Sequence, residues 1–321
     1  MTVSDYILLL ILLAAIERGY LLIARRAGII DKPNERSSHT EQTIVRGGGI
    51  LFLVAAMLAW GYYKANVPYF LLGLGLLAAI SFFDDLVSVP NRYRIGIQFV
   101  AIGLLLYQTN VVPDRVWPTL LVVIIGVGIL NAYNFMDGIN GITAFYSLVT
   151  VGSIWYGLRQ LVSASFLTEA LLPFTVVALV VFSYFNARRQ AICFAGDVGS
   201  MTLAFIVLFA LVQFMQAVQT GLPILFLAVY GVDSVLTILH RMLLKQNIFR
   251  AHRLHLFQQL VHRLRWPHLS VSALYALVQL LINGCVLNAL DWFWPNQLLL
   301  AATILGLLGI TYLFSTIKLR D

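Results

Sequence analysis

Apolar runs of roughly 17–25 residues recur from one end of this chain to the other, and no other feature restricts its folding so much. Each run is long enough to cross about 30 Å of hydrocarbon as a helix. Backbone groups in hydrocarbon must be satisfied within the segment itself, which leaves helices or a closed barrel, and runs of this length select helices. The 321 residues are 60% hydrophobic and 11% charged, far too apolar for a single soluble core. Eleven candidate spans lie near 6–23, 48–65, 68–83, 95–109, 117–133, 142–158, 169–185, 199–218, 221–239, 271–290 and 296–316. Pro68, Pro118, Pro173 and Pro223 fall at or just inside their starts, and the other five of the nine prolines lie in loops. None sits mid-span, where it would break the hydrogen-bond ladder. The first run, Tyr6 to Leu22, has no basic segment before it and no small-residue cleavage site after it, so it reads as a retained helix. The expected fold is all-α: one domain, 1–321, forming a polytopic membrane bundle of about eleven transmembrane helices.

Lys and Arg set the expected orientation. With the N-terminus outside (periplasmic), the inside loops are 24–47, 84–94, 134–141, 186–198 and 240–270, and the C-terminal tail is cytoplasmic. These segments hold 17 of the 21 basic residues, against Lys64, Arg115 and Arg159 outside and Arg18 within the first span. The net charge of +7 is then a topology signal and an attraction to the anionic headgroups of a lipid bilayer, with no nucleic acid implied. Cys193 falls in an inside loop and Cys285 in a span, so no disulfide is expected. Glu17 and Arg18, adjacent in the first span, are expected to neutralise each other or their neighbours.

The acidic residues collect at one depth. Asp84, Asp85, Asp137 and Asp197 come from three loops, all at the inside ends of spans. Carboxylates near hydrocarbon are costly and mark functional sites. Beside basic residues they suit a divalent cation and a phosphate, because Mg²⁺ takes one or two carboxylates plus phosphate oxygens and water.

Five stretches carry this chemistry. "FFDDLVSVPNRYR" places Arg92 and Arg94 after the acidic pair. In "NAYNFMDGINGIT", Asn131, Asn134, Asp137 and Asn140 recur every three residues, roughly one face of a helix. In "CFAGDVGSM", Asp197 lies between Gly196 and Gly199, and Ser200 could cap the helix that follows. "DKPNERSSHTEQTIVRGGGI" holds Asn34, Arg36, His39 and Arg46 ahead of three glycines, donors that suit a diphosphate. "HRMLLKQNIFRAHRLHLFQQLVHR" carries Arg253 and four histidines but no third close ligand for zinc. Its Leu254, Leu256, Phe257 and Leu260 suit a helix lying in the membrane interface. Asp233, inside the ninth span, needs a partner: Arg241 or a residue of a neighbouring span. Taken singly, each stretch also reads as a solvated helix end, a glycine turn or a capping box.

In that order and on that face, the set resembles the polyprenyl-phosphate N-acetylhexosamine-1-phosphate transferases (glycosyltransferase family 4). That family includes the bacterial undecaprenyl-phosphate GlcNAc-1-phosphate transferase and the phospho-MurNAc-pentapeptide translocase. The matching stretches run from residue 31 to about 257. The resemblance implies a bacterial inner-membrane enzyme with ten or eleven spans and a cytoplasm-facing active site. It would transfer a sugar 1-phosphate from a UDP-sugar to undecaprenyl phosphate, release UMP and require Mg²⁺, for which Mn²⁺ could substitute. By position, Asp84 and Asp85 match the acidic pair, Asp197 a metal-binding aspartate, Asn134 and Asp137 the nucleotide-site motif, and His255 one histidine of the late motif.

On this reading Asp84, Asp85 and His255 are catalytic, and Asp85 and Asp197 hold the metal. Asn34, Arg36, His39, Arg46, Arg92, Arg94, Asn134, Asp137, Asn140 and Arg253 bind substrate. Three departures are visible. Asn140 stands where the family has a second aspartate, Phe257 and Gln258 where many members have further histidines, and no lysine follows the acidic pair closely. They favour the branch that initiates O-antigen or other surface glycans over the MurNAc-pentapeptide branch. An N-acetylhexosamine donor is expected on family grounds only, and a homodimer stands beside a monomer as an alternative. A transporter or flippase is the competing class, but it would place its polar residues near the bilayer midplane.

Overall fold

The computed structural model describes residues 2–31, 44–111, 116–247 and 253–318. Among them are twelve α-helices: α1 (Val3–Arg26), α2 (Ile50–Tyr63), α3 (Pro68–Leu86), α4 (Asn91–Gln108), α5 (Val116–Met136), α6 (Ile142–Leu161), α7 (Leu172–Asn186), α8 (Gly196–Val218), α9 (Ala228–Leu243), α10 (Leu256–His262), α11 (His268–Asn288) and α12 (Trp294–Lys318). A π-helical turn, Leu167–Leu171, leads into α7, and a 3₁₀ turn, Leu222–Leu227, leads into α9. The only strands described are β1 (Ile30–Asp31) and β2 (Ile44–Val45), a two-residue antiparallel pair.

Helices occupy all eleven apolar segments. Eight of the helical segments are long and apolar enough to cross a membrane, so the chain is a polytopic helical membrane protein. The other three are α2, with 14 residues, α4, which opens on Asn91, Arg92 and Arg94, and α6, which carries Thr143, Ser147, Thr150 and Ser153 on its buried side.

The apolar pattern explains where each helix sits. In α8, "MTLAFIVLFALVQF" is almost wholly apolar, and 89% of its 18-residue apolar stretch is buried; such a helix belongs at the centre. It packs against α3, α5, α6 and α2. At the periphery, α12 has 11% of its 18-residue apolar stretch buried and turns Leu299, Leu307, Ile310 and Phe314 outward. Ile7, Leu8 and Ile11 of α1 and Leu121 and Ile124 of α5 are likewise exposed. An apolar belt of this extent would aggregate in water and is the surface expected against lipid.

One junction fixes the polar end of the bundle. Val45 donates its amide to Ile192 O (3.1 Å), and Phe194 donates back to Val45 O (2.9 Å). Gly48 N and Gly49 N then donate to Phe194 O (2.9 Å) and Ala195 O (3.0 Å). The glycine triplet thus lies against the chain entering α8. A Cβ on Gly49 would stand 2.3 Å from Gly199 Cα, and one on Gly199 2.5 Å from Gly49 Cα. Two backbones approach here closer than any side chain allows.

Three expectations are corrected. Glu17 and Arg18 do not neutralise each other: Glu17 is buried and Arg18 is exposed, because neighbours on a helix point about 100° apart. Ser200 is not the cap of α8; it lies inside the helix and donates to Gly196 O at 3.0 Å. Nor does the late-loop segment lie free in the interface: α10 is seven residues long, buries Phe257, Gln258, Gln259 and Val261, and packs on α11 and α12.

Gly199→Ala should force the junction apart and cost at least the ~1–3 kcal/mol of an overpacked core. The expected result is loss of the monodisperse peak on size-exclusion in detergent. Cys193 reports on the same junction. Burial, and then the neighbouring Glu17 carboxyl, push its thiol well above the usual thiol range. A Cys285→Ser protein should take up no N-ethylmaleimide at pH 7.5 until it is denatured.

Candidate active site

Asp84 and Asp85 end α3. Consecutive residues on a helix cannot face the same way, and the two carboxylates serve different neighbours. Asp85, 9% exposed, accepts from the amides of Asp197 and Val198, each at 3.0 Å. Those are the amides that a capping side chain ordinarily satisfies. The cap of α8 therefore comes from another helix, more than a hundred residues away. Gly196 permits this: its φ is +71°, and a Cβ there would stand 2.6 Å from Asp85 Oδ2. Asp84 turns to the α3–α4 connection and accepts from Val89 N at 2.7 Å.

Two arginines tie the three carboxylates together. Arg46 Nε lies 2.9 Å from Asp85 Oδ1, and its NH2 is 3.7 Å from Asp197 Oδ1. Arg94 forks across the other side, NH1 to Asp84 Oδ2 and NH2 to Asp197 Oδ2, both at 2.7 Å. Three carboxylates and two guanidiniums leave the cluster with one formal negative charge. Arg46 is itself held from behind, since Tyr20 of α1 donates to its carbonyl at 2.8 Å.

The end of α5 closes a third side. Asn134 donates to Ser200 Oγ at 3.1 Å, beside Asp197. Asn131, one turn earlier, pairs with Gln98 of α4 at 2.8 Å. Asp137 lies just past the helix end and accepts from Thr143 Oγ1 at 2.6 Å. Asn140 is buried, and its amide donates to the carbonyls of Arg188 (2.8 Å) and Arg189 (3.2 Å). It clamps the loop before α8.

His255 lies on the far side of α5's end, with its ring 6.3 Å from that of Phe135. Its Nδ1 is 3.2 Å from Asp233 Oδ1. The intramembrane carboxylate of α9 thus finds its partner 22 residues along the chain, not in Arg241.

Of the remaining residues, Arg92 turns outward and stacks over the Tyr93 ring at 4.8 Å. Arg253 is exposed. Asn34, Arg36 and His39 lie outside the described residues. The structure adds Tyr20, Thr143, Ser200 and Tyr275, uncharged side chains that hold Arg46, Asp137, Asn134 and Asp233 in turn. Two had a signal in the sequence: Ser200, at the start of the helix after "CFAGDVG", and Tyr20, three residues after an intramembrane carboxylate and so on its face.

Residues 67–215 match the model of glycosyl transferase family 4. Over that segment, somewhat under half of its length, the chain is similar to that family. It is 25% identical over 268 residues (80% of this chain, 81% of the other) to the undecaprenyl-phosphate alpha-N-acetylglucosaminyl 1-phosphate transferase of Thermotoga maritima. It is 25% identical over 321 residues (90% and 84%) to the enzyme of that name from Escherichia coli O157:H7. To the phospho-N-acetylmuramoyl-pentapeptide-transferase of Thermotoga petrophila it is 26% identical over 263 residues (75% and 83%). Identity alone does not choose between the two branches. The matched segment contains Asp84, Asp85, Arg94, Asn134, Asp137 and Asp197; Arg46, Asp233 and His255 lie outside it.

Asp85 has a structural task whatever its chemistry. Asp85→Ala orphans two buried amides at the start of α8 and removes one carboxylate from Arg46, a loss of about 1–3 kcal/mol. Asp85→Asn keeps one acceptor oxygen and should lose less. Thermal unfolding in detergent, compared between the two variants, checks the order.

Proposed function

We propose that this chain transfers a sugar 1-phosphate from a UDP-sugar to a polyprenyl phosphate, giving polyprenyl-diphospho-sugar and UMP, at the cytoplasmic surface of a bacterial inner membrane. The observation that carries the reading is the convergence of Asp84, Asp85, Asp197, Arg46 and Arg94 at one end of the bundle. A lipid-borne phosphate and a soluble nucleotide can meet only at such an end. The 17 basic residues assigned to that side support its being the cytoplasmic one. The relatives' names support undecaprenyl phosphate as acceptor and an N-acetylhexosamine as the sugar. Initiation of O-antigen or another surface glycan is the role that the late-motif departures favour.

The guanidiniums of Arg46 and Arg94 present planar forks of donors that match phosphate oxygens. Each can exchange a carboxylate for a substrate phosphate without leaving the cluster. The acceptor phosphate has a second pKa near 6 and is largely dianionic at neutrality. Its oxygen attacks the sugar-bearing phosphorus in line, the bridging P–O bond breaks, and the electron pair leaves with UMP. Asp84 orients the incoming phosphate, Asn134 and Asp137 hold the nucleotide end, and His255 bears on the transferring phosphates.

Hard carboxylate oxygens on Asp85 and Asp197, bridged by one arginine, suit Mg²⁺ or Mn²⁺. Among the described residues no three acidic, histidine or cysteine groups form a ready cage. An ion held here would take one or two carboxylates and complete its shell with phosphate and water. When bound, the ion neutralises charge gathering on the phosphates.

Purified protein given undecaprenyl phosphate, Mg²⁺ and a panel of UDP-N-acetylsugars should release UMP with one donor, and not when lipid or metal is omitted. UMP release that persists without lipid would overturn the transfer reading. Arg94→Lys keeps the charge but loses the fork, and should lower kcat/KM by about 10²-fold or more in folded protein.

A further inference from the structure

Asp233 is 3% exposed and sits in the middle of a candidate span, where an ionisable group has to be held by partners. Its oxygens are fully engaged. Oδ1 lies 3.2 Å from His255 Nδ1 and accepts from Leu256 N at 3.1 Å and from Thr237 Oγ1 at 3.2 Å. Oδ2 accepts from Tyr275 OH at 2.7 Å. Thr237 is in turn bonded to Tyr312 OH at 2.8 Å. Helices α9, α11 and α12 thus converge on one carboxylate. That carboxylate grips both the ring of His255 and the first amide of α10, the helix that His255 opens.

The arrangement goes beyond the neutralisation of a charge. As a carboxylate Asp233 can only accept, an arrangement that calls for the proton on His255 Nδ1. In neutral imidazole that leaves the lone pair on Nε2. A buried carboxylate behind a histidine fixes the tautomer, aims the ring and stabilises the cation if a second proton arrives. His255 is 2% exposed, and the rings of Phe135 and Phe257 flank it and confine its imidazole. Phe135 follows Asn134, which stands beside Asp197. The ring therefore rests against the helix end that also holds the carboxylate cluster.

We infer that Asp233 is a positioning residue: it acts through His255, setting its tautomer and orientation for phosphoryl transfer. The activity part of this rests on the transferase reading; the tautomer part does not.

A double-mutant cycle read as kcat/KM for UMP release tests the first part. Asp233→Asn should lower kcat/KM by about 10- to 100-fold, the usual effect of removing the outer partner of a functional histidine. His255→Gln should cost at least as much, and the double variant no more than His255→Gln alone. If the two losses multiply, or if folded Asp233→Asn is as active as the parent, the inference fails. Nitrogen-15 NMR of histidine-labelled protein tests the second part without any activity. The signal absent from His255→Gln should report a protonated Nδ1 in the unmodified chain. An unprotonated Nδ1 there overturns the proposal even if Asp233→Asn does not fold. A protonated Nδ1 in a chain that releases no UMP would sink the transferase reading and leave the Asp233–His255 pairing standing.

Discussion

Two amides at the start of the most buried helix end on a carboxylate from another helix. The bond from Asp85 to the first turn of α8 locks the end of α3 to the centre of the bundle. Hydrogen bonds to an ionised acceptor contribute about 1.5–3 kcal/mol, and here they also remove two orphan donors from an apolar interior. Much of the site hangs on this bond. Asp84 is carried beside it, Asp197 follows the capped turn, and Arg46 and Arg94 enter because three carboxylates in one place need cations. A polar cluster of this density survives near hydrocarbon because its members are paired with one another.

The backbone had to be bare for that to happen. Gly49 and Gly199 let the first inside loop touch the start of α8, and Gly196 makes room for Asp85. The same contact delivers Arg46, which no helix carries. The apolar bundle supplies the rest: low dielectric around the cluster, and a lipid-facing belt that holds the cluster at a constant depth. The Asp233–His255 pair is built on different helices, and the last turn of α5 touches both centres, through Asn134 at Ser200 and Phe135 at His255.

Much of this was legible residue by residue. The eleven apolar segments are helices because a periodicity of that length has no other solution in lipid, although eight of them suffice in length and composition to span. Asp84, Asp85, Asp137 and Asp197 could be grouped because three loops at one depth must share a surface. Which arginine joins them could not be read. Arg92 and Arg94 are two residues apart, so their side chains point about 200° apart on a helix, and only the rotation of α4 in the bundle decides that Arg94 faces inward. Asn140 reads as a substrate ligand by its spacing and sits as a loop clamp. Rotation of α1 likewise separates Glu17 from Arg18.

The class of the fold, the depth at which its charges gather and the transferase family it resembles can be read along the chain. Those depend on hydrophobicity, charge sign and ordered motifs, which are local properties of the chain. Tertiary structure alone decided that Asp85 caps α8, that Arg46 reaches it from the glycine loop and that Asp233 holds His255. Each of those facts depends on how one helix is turned and placed against another. Steric fit sets that to within an ångström, and no spacing along the chain records it.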